Sequence, residues 1–367
     1  MRAYTHEQVY RLALQCAPSL TWRQQRALLD AYGTAEAVLT RMDAGVEEIA
    51  GEKAARELRE IRRKGARQLI QRLEDCGARM CYPEDGDYPA LLREIADPPH
   101  ALFLRGTPAA DEKSVAVVGS RRDTRYGRTQ AFNIAKGLAQ AGVTVVSGLA
   151  RGIDTAAHEG ALAGGGRTVA VLGNGIDSVY PEENGDLARR IIDAGGAVIT
   201  EFPFGAEPRA FRFPIRNRII SGICAATLLI EGHAQSGTMI TAGCAAEQGR
   251  EVFALPGQVD APGSAAPLAL LRDGARICTC AQDILEDMGW TPRQERAEKA
   301  PSPEERLKGL SGFRRRIAEL MLEEPRRFEE LAEETGISTE ELSAELTLME
   351  LDGLVEPRAG RIYALKQ

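Results

Sequence analysis

The sequence predicts an α/β protein in which an extended Rossmann-like, doubly wound parallel sheet lies between an N-terminal helical module and a C-terminal winged helix. Between Met80 and Trp290, short runs of β-branched and other apolar residues end in glycine, and amphipathic helical segments separate them. Strands that are apolar on every residue are buried on both faces, which is typical of a parallel sheet covered by helices. The 367 residues also exceed the usual size of one hydrophobic core, so two or three domains are expected.

Residues 1–78 are predicted to form a compact helical module. Helical patterns cover residues 7–16, 23–32, 35–41 and 52–76, and Gly33, Gly45 and Gly51 separate them. The last of these helices carries more basic than acidic residues. A solvated helix face explains this excess more simply than a phosphate contact does.

Residues 79–290 are predicted to form the sheet domain, with strands at residues 115–118, 143–146, 169–172, 197–199, 227–230 and 252–255. Residues 291–309 contain Pro292, Pro301 and Pro303 among charged residues and are predicted to be a linker. Residues 310–367 then combine helical patterns at 313–322, 328–334 and 339–351 with a hairpin at 354–365. This order of elements is typical of a winged helix.

Composition limits the possible functions. The formal net charge of −7 argues against attraction of nucleic acid by the whole molecule, so any nucleic-acid site must be local. The seven cysteines include no Cys-x-x-Cys pair and the four histidines are scattered, so no metal or other cofactor is predicted. No apolar run approaches the ~20 residues of a membrane span, and the first residues lack the apolar core of a signal peptide. The chain is therefore expected to be cytoplasmic and to bind no membrane.

Glycine, hydroxyl and arginine residues follow the predicted strands, which is where doubly wound sheets bind their ligands. The loops concerned begin at Gly119, Ser147, Gly173, Glu201 and Ser236. Glycine lets backbone N–H groups approach an anion, and helix N-termini and arginine side chains add positive charge. Several such loops at one edge of the sheet would hold phosphates, and phenylalanines beside the arginines would stack unpaired bases.

Five ordered segments together resemble the DprA (DNA processing protein A) family. They are Gly119-Ser120-Arg121, Ser147-Gly148-x-Ala150-x-Gly152-Ile153-Asp154, Val171-Leu172-Gly173-x-Gly175-Ile176-Asp177-x-x-Tyr180-Pro181, Phe213-Pro214-x-Arg216-Asn217-Arg218 and Ser236-Gly237-Thr238. The resemblance implies that the N-terminal module is similar to SAM or helix-hairpin-helix domains. It also implies a protein that is not an enzyme. Such a protein dimerises through its Rossmann-like domain, binds and protects single-stranded DNA, and loads the recombinase RecA in natural transformation.

The resemblance implies a set of single-stranded-DNA contacts: Gly119, Ser120, Arg121, Ser147, Gly148, Phe204, Gly205, Arg216, Asn217, Arg218, Ser236, Gly237 and Thr238. Charge alone adds Arg122, Arg125 and Arg151 as candidates. No catalytic residue is expected. His158 is predicted to form a local hydrogen bond, and Asp154 and Asp177 to cap loops or helices. The family also suggests a dimer interface in residues 244–256.

Two segments depart from what DNA binding would favour. Residues 17–21, at the hairpin of the N-terminal module, include a proline and no glycine, so a backbone contact with phosphate is not expected there. The recognition helix of the predicted winged helix begins with Glu340, Glu341 and Glu345, whose carboxylates would repel phosphates. We therefore expect this domain to bind protein or to pack within the molecule.

Three other functions are alternatives to DNA binding. A dinucleotide-dependent oxidoreductase would carry Gly-x-Gly-x-x-Gly after the first strand, and this chain does not. A Rossmann-like nucleotide phosphoribohydrolase is the better alternative, because Ser236-Gly237-Thr238 begins like the Gly-Thr-x-x-Glu motif of such enzymes. Thr241 stands where the glutamate is needed, so Glu231 or Glu247 would have to replace it. A scaffold without a ligand would leave the repulsion among clustered arginines uncompensated.

Overall fold

The computed structural model describes residues 4–65, 67–108, 113–290, 310, 312–322, 324–352, 354–358 and 360–365. The chain divides into two compact units, Met1–Thr291 and Pro292–Gln367. The first unit contains both the predicted helical module and the predicted sheet domain. The predicted linker lies outside the described residues. Within the described ranges, no helix combines the length and the apolar character that crossing a bilayer requires.

The N-terminal module consists of six helices in its described residues: α1 His6–Gln15, α2 Trp22–Tyr32, α3 Ala35–Arg41, α4 Ala44–Ala50, α5 Glu52–Lys64 and α6 Arg67–Asp75. Capping boxes at Thr5 and Thr21 fix the starts of α1 and α2. The single helix predicted at 52–76 is wrong, because Gly65 takes a left-handed conformation (φ 82°) that ends α5. Helix α4, which Asp43 caps, was not predicted.

The described strands of the first unit form one nine-stranded sheet. They are β1 Arg79–Cys81, β2 Leu102–Gly106, β3 Ser114–Val118, β4 Thr144–Ser147, β5 Thr168–Val171, β6 Ala197–Thr200, β7 Ala226–Leu229, β8 Glu251–Ala254 and β9 Arg276–Ile277. Their order is β1-β2-β6-β5-β4-β3-β7-β8-β9. Strands β3 to β9 are parallel, and β2 pairs antiparallel with both β6 and β1. The predicted doubly wound parallel sheet is confirmed, and each of the six predicted strands matches one of β3 to β8.

Helices cover both faces of this sheet: α7 Ala90–Arg93, α8 Arg125–Gln140, α9 Ile153–Ala163, α10 Gly185–Asp193, α11 Arg212–Ile223, α12 Gly237–Glu247, α13 Ala265–Arg272 and α14 Ala281–Asp287. Side chains of alternate residues in β3 point to opposite faces of the sheet. Val115 and Val117 pack in a core with α8 and α9, whereas Ala116 and Val118 pack in a second core with α11. The full burial of β3 thus follows from its position between two layers of helices.

The second unit has the predicted winged-helix composition. Its helices are α15 Gly312–Leu320, α16 Phe328–Thr335 and α17 Thr339–Leu351, and its strands are β10 Arg326–Arg327, β11 Val355–Arg358 and β12 Ile362–Leu365. The strands pair antiparallel in the order β10-β12-β11. Phe328, Leu331, Leu342 and Leu346 are buried together in its core. The short strand β10 is the element here that the sequence pattern did not indicate.

Candidate nucleic-acid interface

A cleft of about 610 Å³ opens at the carboxyl ends of strands β3 to β7. The strand order reverses here, because β4 lies on one side of β3 and β7 on the other. Such a reversal is the position at which doubly wound sheets bind ligands. Segments from five different loops line it: Val118–Arg121, Ala150 with Asp154, Tyr180, residues 208–220 and residues 233–241.

Eight of the predicted site residues line this cleft: Gly119, Ser120, Arg121, Arg216, Asn217, Ser236, Gly237 and Thr238. They come from three segments that are far apart in the sequence. The sheet brings them together because β3, β6 and β7 are parallel and end at the same edge. The gathering of Arg121, Arg216 and Ser236 in one cleft is the geometry that an anion site at this edge requires.

Arg121 and two aromatic rings form one wall of the cleft. The Arg121 side chain is exposed, and its guanidinium carbon lies 4.7 Å from the centroid of the Phe213 ring. The Tyr180 ring lies 5.9 Å from Phe213 at an angle of 45°, and 41% of Tyr180 is exposed. No described carboxylate forms an ion pair with Arg121, so its charge is available to a ligand. Phe213 and Tyr180 were not selected as site residues, although both belong to the segments that carry the family resemblance.

Arg216 supplies a second, buried cation at the floor of the cleft. Its Nη1 donates to the carbonyl oxygen of Gly148 at 2.9 Å and also to that of Val171. Burial lowers the pKa of Arg216 to about 10, and nearby Asp154 acts in the opposite direction, so the guanidinium is still charged at neutral pH. Its Nε atom is buried and has no hydrogen-bond partner among the described residues. The floor of the cleft is therefore cationic.

Ser147 and Gly148 do not line the cleft, but they contact residues that position its lining. The Ser147 hydroxyl donates to the carbonyl oxygen of Val117 at 2.7 Å, which ties β4 to β3. Asp154 accepts hydrogen bonds from the backbone N–H groups of Gly148 at 3.1 Å and Ala150 at 3.3 Å. Burial raises the pKa of the Asp154 carboxyl, and the charge of Arg216 opposes this rise. The prediction that Asp154 caps a loop is confirmed.

The start of helix α12 also lines the cleft. Ser236 is the N-cap, and the first turn has no side-chain cap. An α-helix leaves its first N–H groups unpaired, and those of Gly237 and Thr238 belong to residues that line the cleft. The hydroxyls of Ser236 and Thr238 hydrogen-bond to each other. Together with the helix dipole, these groups favour an anion.

The structure corrects two of the predicted contacts. Phe204 is 8% exposed and packs edge-to-face on Phe103, with ring centroids 5.2 Å apart, so its ring does not offer a surface for a base. Arg218 is buried and forms ion pairs with Glu201 at 2.6 Å and Asp97 at 2.9 Å. Its charge is neutralised, and it faces away from the cleft toward a different cavity.

Four further predicted residues, the exposed Arg125 among them, lie outside the lining of the cleft. Arg122 is exposed, and its backbone N–H donates to the Ser120 hydroxyl at 3.0 Å. Arg151 forms a two-pronged ion pair with Glu183 at 2.7 and 2.8 Å. The N–H of Gly205 donates to Asp177 at 2.9 Å, which confirms the predicted capping role of that carboxylate. These residues shape the surroundings of the site.

The carboxylates that an enzymatic function would need are placed elsewhere. Asp154 is the one carboxylate among the described residues of the cleft lining, and it is hydrogen-bonded to backbone N–H groups. Glu231 accepts hydrogen bonds from the Thr124 N–H at 2.6 Å and hydroxyl at 2.8 Å, so it anchors the start of α8. Glu247 is exposed and lines a different cavity. His158 is buried and hydrogen-bonded to Thr168 at 2.7 Å, as predicted.

One group of possible metal ligands occurs among the described residues, at Cys81, Asp85 and Asp87. Asp87 forms an ion pair with Arg79, and Asp85 accepts a hydrogen bond from the Tyr82 N–H at 2.9 Å. Burial raises the pKa of the Cys81 thiol to about 12, which disfavours the thiolate that metals bind. These side chains stabilise the turn after β1 and lie outside the lining of the cleft.

The fold and the cleft define a class: a Rossmann-like protein with a cationic, aromatic-walled cleft at its strand ends and a winged helix later in the chain. Comparison with known proteins identifies the family. The model of the family "DNA recombination-mediator protein A" matches residues 79–289, and that of the DprA winged helix domain matches residues 298–361. The chain belongs to this family.

Several relatives are similar over different parts of the chain. Protein Smf of Escherichia coli is 44% identical over 216 residues, which are 57% of this chain and 58% of that protein. The putative DNA processing protein DprA of Mycobacterium tuberculosis is 36% identical over 327 residues, 82% of each chain.

Solved structures agree with this assignment. The crystal structure of DprA from Streptococcus pneumoniae has a TM-score of 0.64 and 33% identity, and it covers 78% of this chain and 99% of that one. A structure of DprA from Helicobacter pylori, which describes the single-stranded-DNA-binding mode of that protein, has a TM-score of 0.50 and 26% identity. It covers 57% of this chain and 95% of that one.

Proposed function

We propose that the cleft binds single-stranded DNA. Arg121, Arg216 and the first turn of α12 would hold phosphates, and the half-buried ring of Phe213 and the exposed ring of Tyr180 would stack a base. The observation that carries this proposal is the meeting of an unpaired exposed arginine, a buried arginine and a helix N-terminus beside two aromatic rings. Phosphodiesters need the cations and N–H groups, and unpaired bases need the rings.

Single strands are proposed over duplex because the faces of duplex bases are already stacked. The single-stranded-DNA-binding mode described for the H. pylori protein supports this choice. The net charge of −7 makes binding depend on the local cleft, because the whole molecule repels phosphates. We expect little dependence on base sequence, since stacking and phosphate contacts are available to every base.

The wider role that we propose follows the family. The protein would protect incoming single-stranded DNA, load RecA in natural transformation and recombination, act in the cytoplasm, and carry out no catalysis of its own. The family name, which describes a recombination mediator, supports the partnership with RecA. The absence of a free carboxylate from the described lining of the cleft supports binding without hydrolysis.

We also propose that the protein forms a homodimer through its Rossmann-like domain, with residues 244–256 as the first region to test. Strand β8 in this region pairs with β7 on one side and β9 on the other. Strand pairing between two copies is therefore not available there. The interface would use the exposed surface around Glu247 and Glu251.

Two neighbouring arginines provide a matched test of the DNA site. Arg121 lines the cleft, whereas Arg122 is also exposed and does not. We expect Arg121→Ala to weaken binding of a short oligothymidine by about tenfold or more, because a phosphate contact and the support of the Phe213 ring are lost together. Arg122→Ala should change the affinity by about threefold or less. Filter binding at two salt concentrations measures both effects.

Equal losses in the two variants would mean that charge alone attracts the DNA and that the cleft is not its site. Equal affinity of the wild-type protein for duplex would also contradict the proposal.

A further inference from the structure

We propose that the bound strand continues from the cleft onto a second surface, where the N-terminal module contributes to binding. This surface, the junction platform, consists of Trp22, Arg23, Phe202, Phe211 and Arg212. It lies between α2 of the helical module and the first turn of α11. The proposal rests on the function proposed for the cleft and extends the path of the DNA beyond it.

The junction platform surrounds a cavity of about 430 Å³ with largely apolar walls. Phe211 is 58% exposed, although phenylalanine is ordinarily buried. The guanidinium carbon of Arg212 lies 5.3 Å from the Phe202 centroid and 5.7 Å from that of Phe211. The Arg23 guanidinium lies 5.6 Å from the Trp22 ring centroid. Of these rings Phe211 is exposed, and Trp22 and Phe202 are half-buried. Arginines beside accessible aromatic rings are the combination that binds consecutive nucleotides of a single strand.

The charge of the junction platform is positive. Arg23 and Arg212 form no ion pair with any residue that the structure describes; Arg212 donates instead to the carbonyl oxygen of Glu207 at 2.6 Å. Burial and the neighbouring Arg209 lower the pKa of Arg212, so a bound anion would stabilise its charged form. The carboxylate of Glu201 at the cavity wall is paired with Arg218. The platform therefore complements a phosphate backbone.

Helix α11 connects the platform to the cleft. Phe213 and Pro214 line the cleft, whereas Phe211, Arg212 and Ile215 line the junction cavity. Residues 212–215 form the first turn of α11, which rises about 5.4 Å, and Phe211 is its N-cap. A strand that leaves the cleft past Phe213 thus reaches Phe211 by crossing one turn of helix.

The junction cavity contains unpaired hydrogen-bonding atoms that suit a base. Nε2 of His100 and Oε1 of Glu201 are buried and have no hydrogen-bond partner among the described residues. Both residues line the cavity, and the Glu201 side chain is 8% exposed. Burial lowers the pKa of His100, which favours the neutral ring. The unpaired carboxylate oxygen of Glu201 matches an N–H group on the edge of a base and would repel a phosphate, and the neutral imidazole of His100 can donate or accept a hydrogen bond.

Tryptophan fluorescence provides a direct test. The chain has two tryptophans, so a Trp290→Phe variant of the full chain leaves Trp22 as the only one. We expect an oligothymidine of about 16 nucleotides to quench Trp22, and one of about 4 nucleotides to bind without quenching, because this range of lengths spans known single-strand sites. Unchanged Trp22 emission with a bound long oligonucleotide would overturn the proposal.

Two phenylalanines of similar exposure give the matched variants. Phe211, which is 58% exposed, belongs to the platform, and Phe313, which is 53% exposed, lies on α15 in the other unit. Phe211→Ala should weaken binding of the long oligonucleotide roughly five- to tenfold and leave the short one unaffected, and Phe313→Ala should weaken neither.

The Arg121→Ala and Phe211→Ala variants test the cleft and the platform separately. If long oligonucleotides bind, Arg121→Ala abolishes the binding, and Phe211→Ala behaves like Phe313→Ala, the cleft binds DNA and the platform does not. If Arg121→Ala has no effect on either oligonucleotide, the function proposed for the cleft is wrong.

Discussion

At the scale of single residues, the site depends on how Arg216 is buried. A buried cation is costly unless neighbouring groups compensate it, and here two carbonyl oxygens and Asp154 do so in part. The guanidinium Nε is still unpaired among the described contacts. A phosphate in the cleft would complete this compensation, which links the binding of an anion to the stability of the fold.

Gly148 makes the close approach of Arg216 possible. A Cβ atom at Gly148 would lie 2.4 Å from Nη1 of Arg216 and 2.7 Å from the Asp154 carboxylate. We therefore expect Gly148→Ala to lower the free energy of unfolding by about 1–3 kcal/mol and to weaken DNA binding, because Arg216 must move. Urea unfolding and oligothymidine binding measure the two effects.

Gly243 is the control for this substitution. It lies within α12, has no heavy atom within 4 Å of an added Cβ, and has an ordinary helical conformation. Gly243→Ala should leave DNA binding unchanged and stabilise the helix slightly, by up to about 1 kcal/mol. If Gly148→Ala behaved in the same way, the close approach to Arg216 would have no energetic importance.

The sequence was sufficient to predict which residue types form the site. It was not sufficient to predict which way every side chain points. Arg216 and Arg218 belong to one segment of the family resemblance, but side chains two positions apart in an α-helix point about 200° apart. One therefore faces the cleft and the other faces Glu201 and Asp97. Once α11 is known to be helical, its period separates the two arginines. The burial of Phe204 depends on Phe103, a contact across about 100 positions that no local pattern reveals.

At the scale of secondary-structure elements, continuous apolar runs were sufficient to predict β3 to β8. Strands β1 and β9 have three and two residues, too few for a periodic pattern. Strand β2 was missed, although Leu102, Phe103 and Leu104 are fully buried, because a run of three apolar residues fits a helix or a loop as well. The break in the helix predicted at 52–76 shows that Gly65 outweighed the helical pattern on either side of it.

A buried histidine joins two of these elements and makes stability depend on pH. The Thr168 hydroxyl donates to the carbonyl oxygen of Val145, so it accepts a hydrogen bond from Nδ1 of His158 on α9. Nε2 is buried without a hydrogen-bond partner in the described structure, so the ring is neutral. Burial lowers the pKa of His158 to about 3, below its usual value of 6.5.

The unfolded chain takes up a proton at His158 near pH 6.5, and the folded chain does not. The contribution of His158 to the free energy of unfolding is therefore complete above that pH and decreases as the pH falls below it. We expect His158 to contribute a loss of about 2 kcal/mol in the free energy of unfolding between pH 7 and pH 5. His158→Asn, whose amide can donate to Thr168, should remove this contribution. Urea unfolding at several pH values measures the slope.

The exposed His233 provides the control, since His233→Asn should keep the full pH slope. The partly buried His100 acts in the same direction and is unchanged in both variants. A slope that His158→Asn left intact would show that this ring is protonated in the folded protein.

At the scale of the whole molecule, a chain with a net charge of −7 carries a cationic cleft. In the winged helix, several acidic residues form contacts within the domain. Glu341 forms a capping box with Ser338, and Glu345 pairs with Arg314 at 2.7 Å, so these carboxylates stabilise the domain. Glu340 is exposed at the start of α17. An acidic start of this helix still predicts that the domain binds protein and not DNA.

The position of the DNA on the molecule is the most direct test of this account. Irradiation of the full chain with an oligothymidine that contains 5-iodouracil joins the base to an aromatic side chain that stacks on it. We expect the crosslinked peptides to contain Phe213 or Tyr180, and the yield to fall sharply in Arg121→Ala. Crosslinks confined to residues 310–367, with a yield that Arg121→Ala leaves unchanged, would contradict the assignment of the cleft as the DNA site.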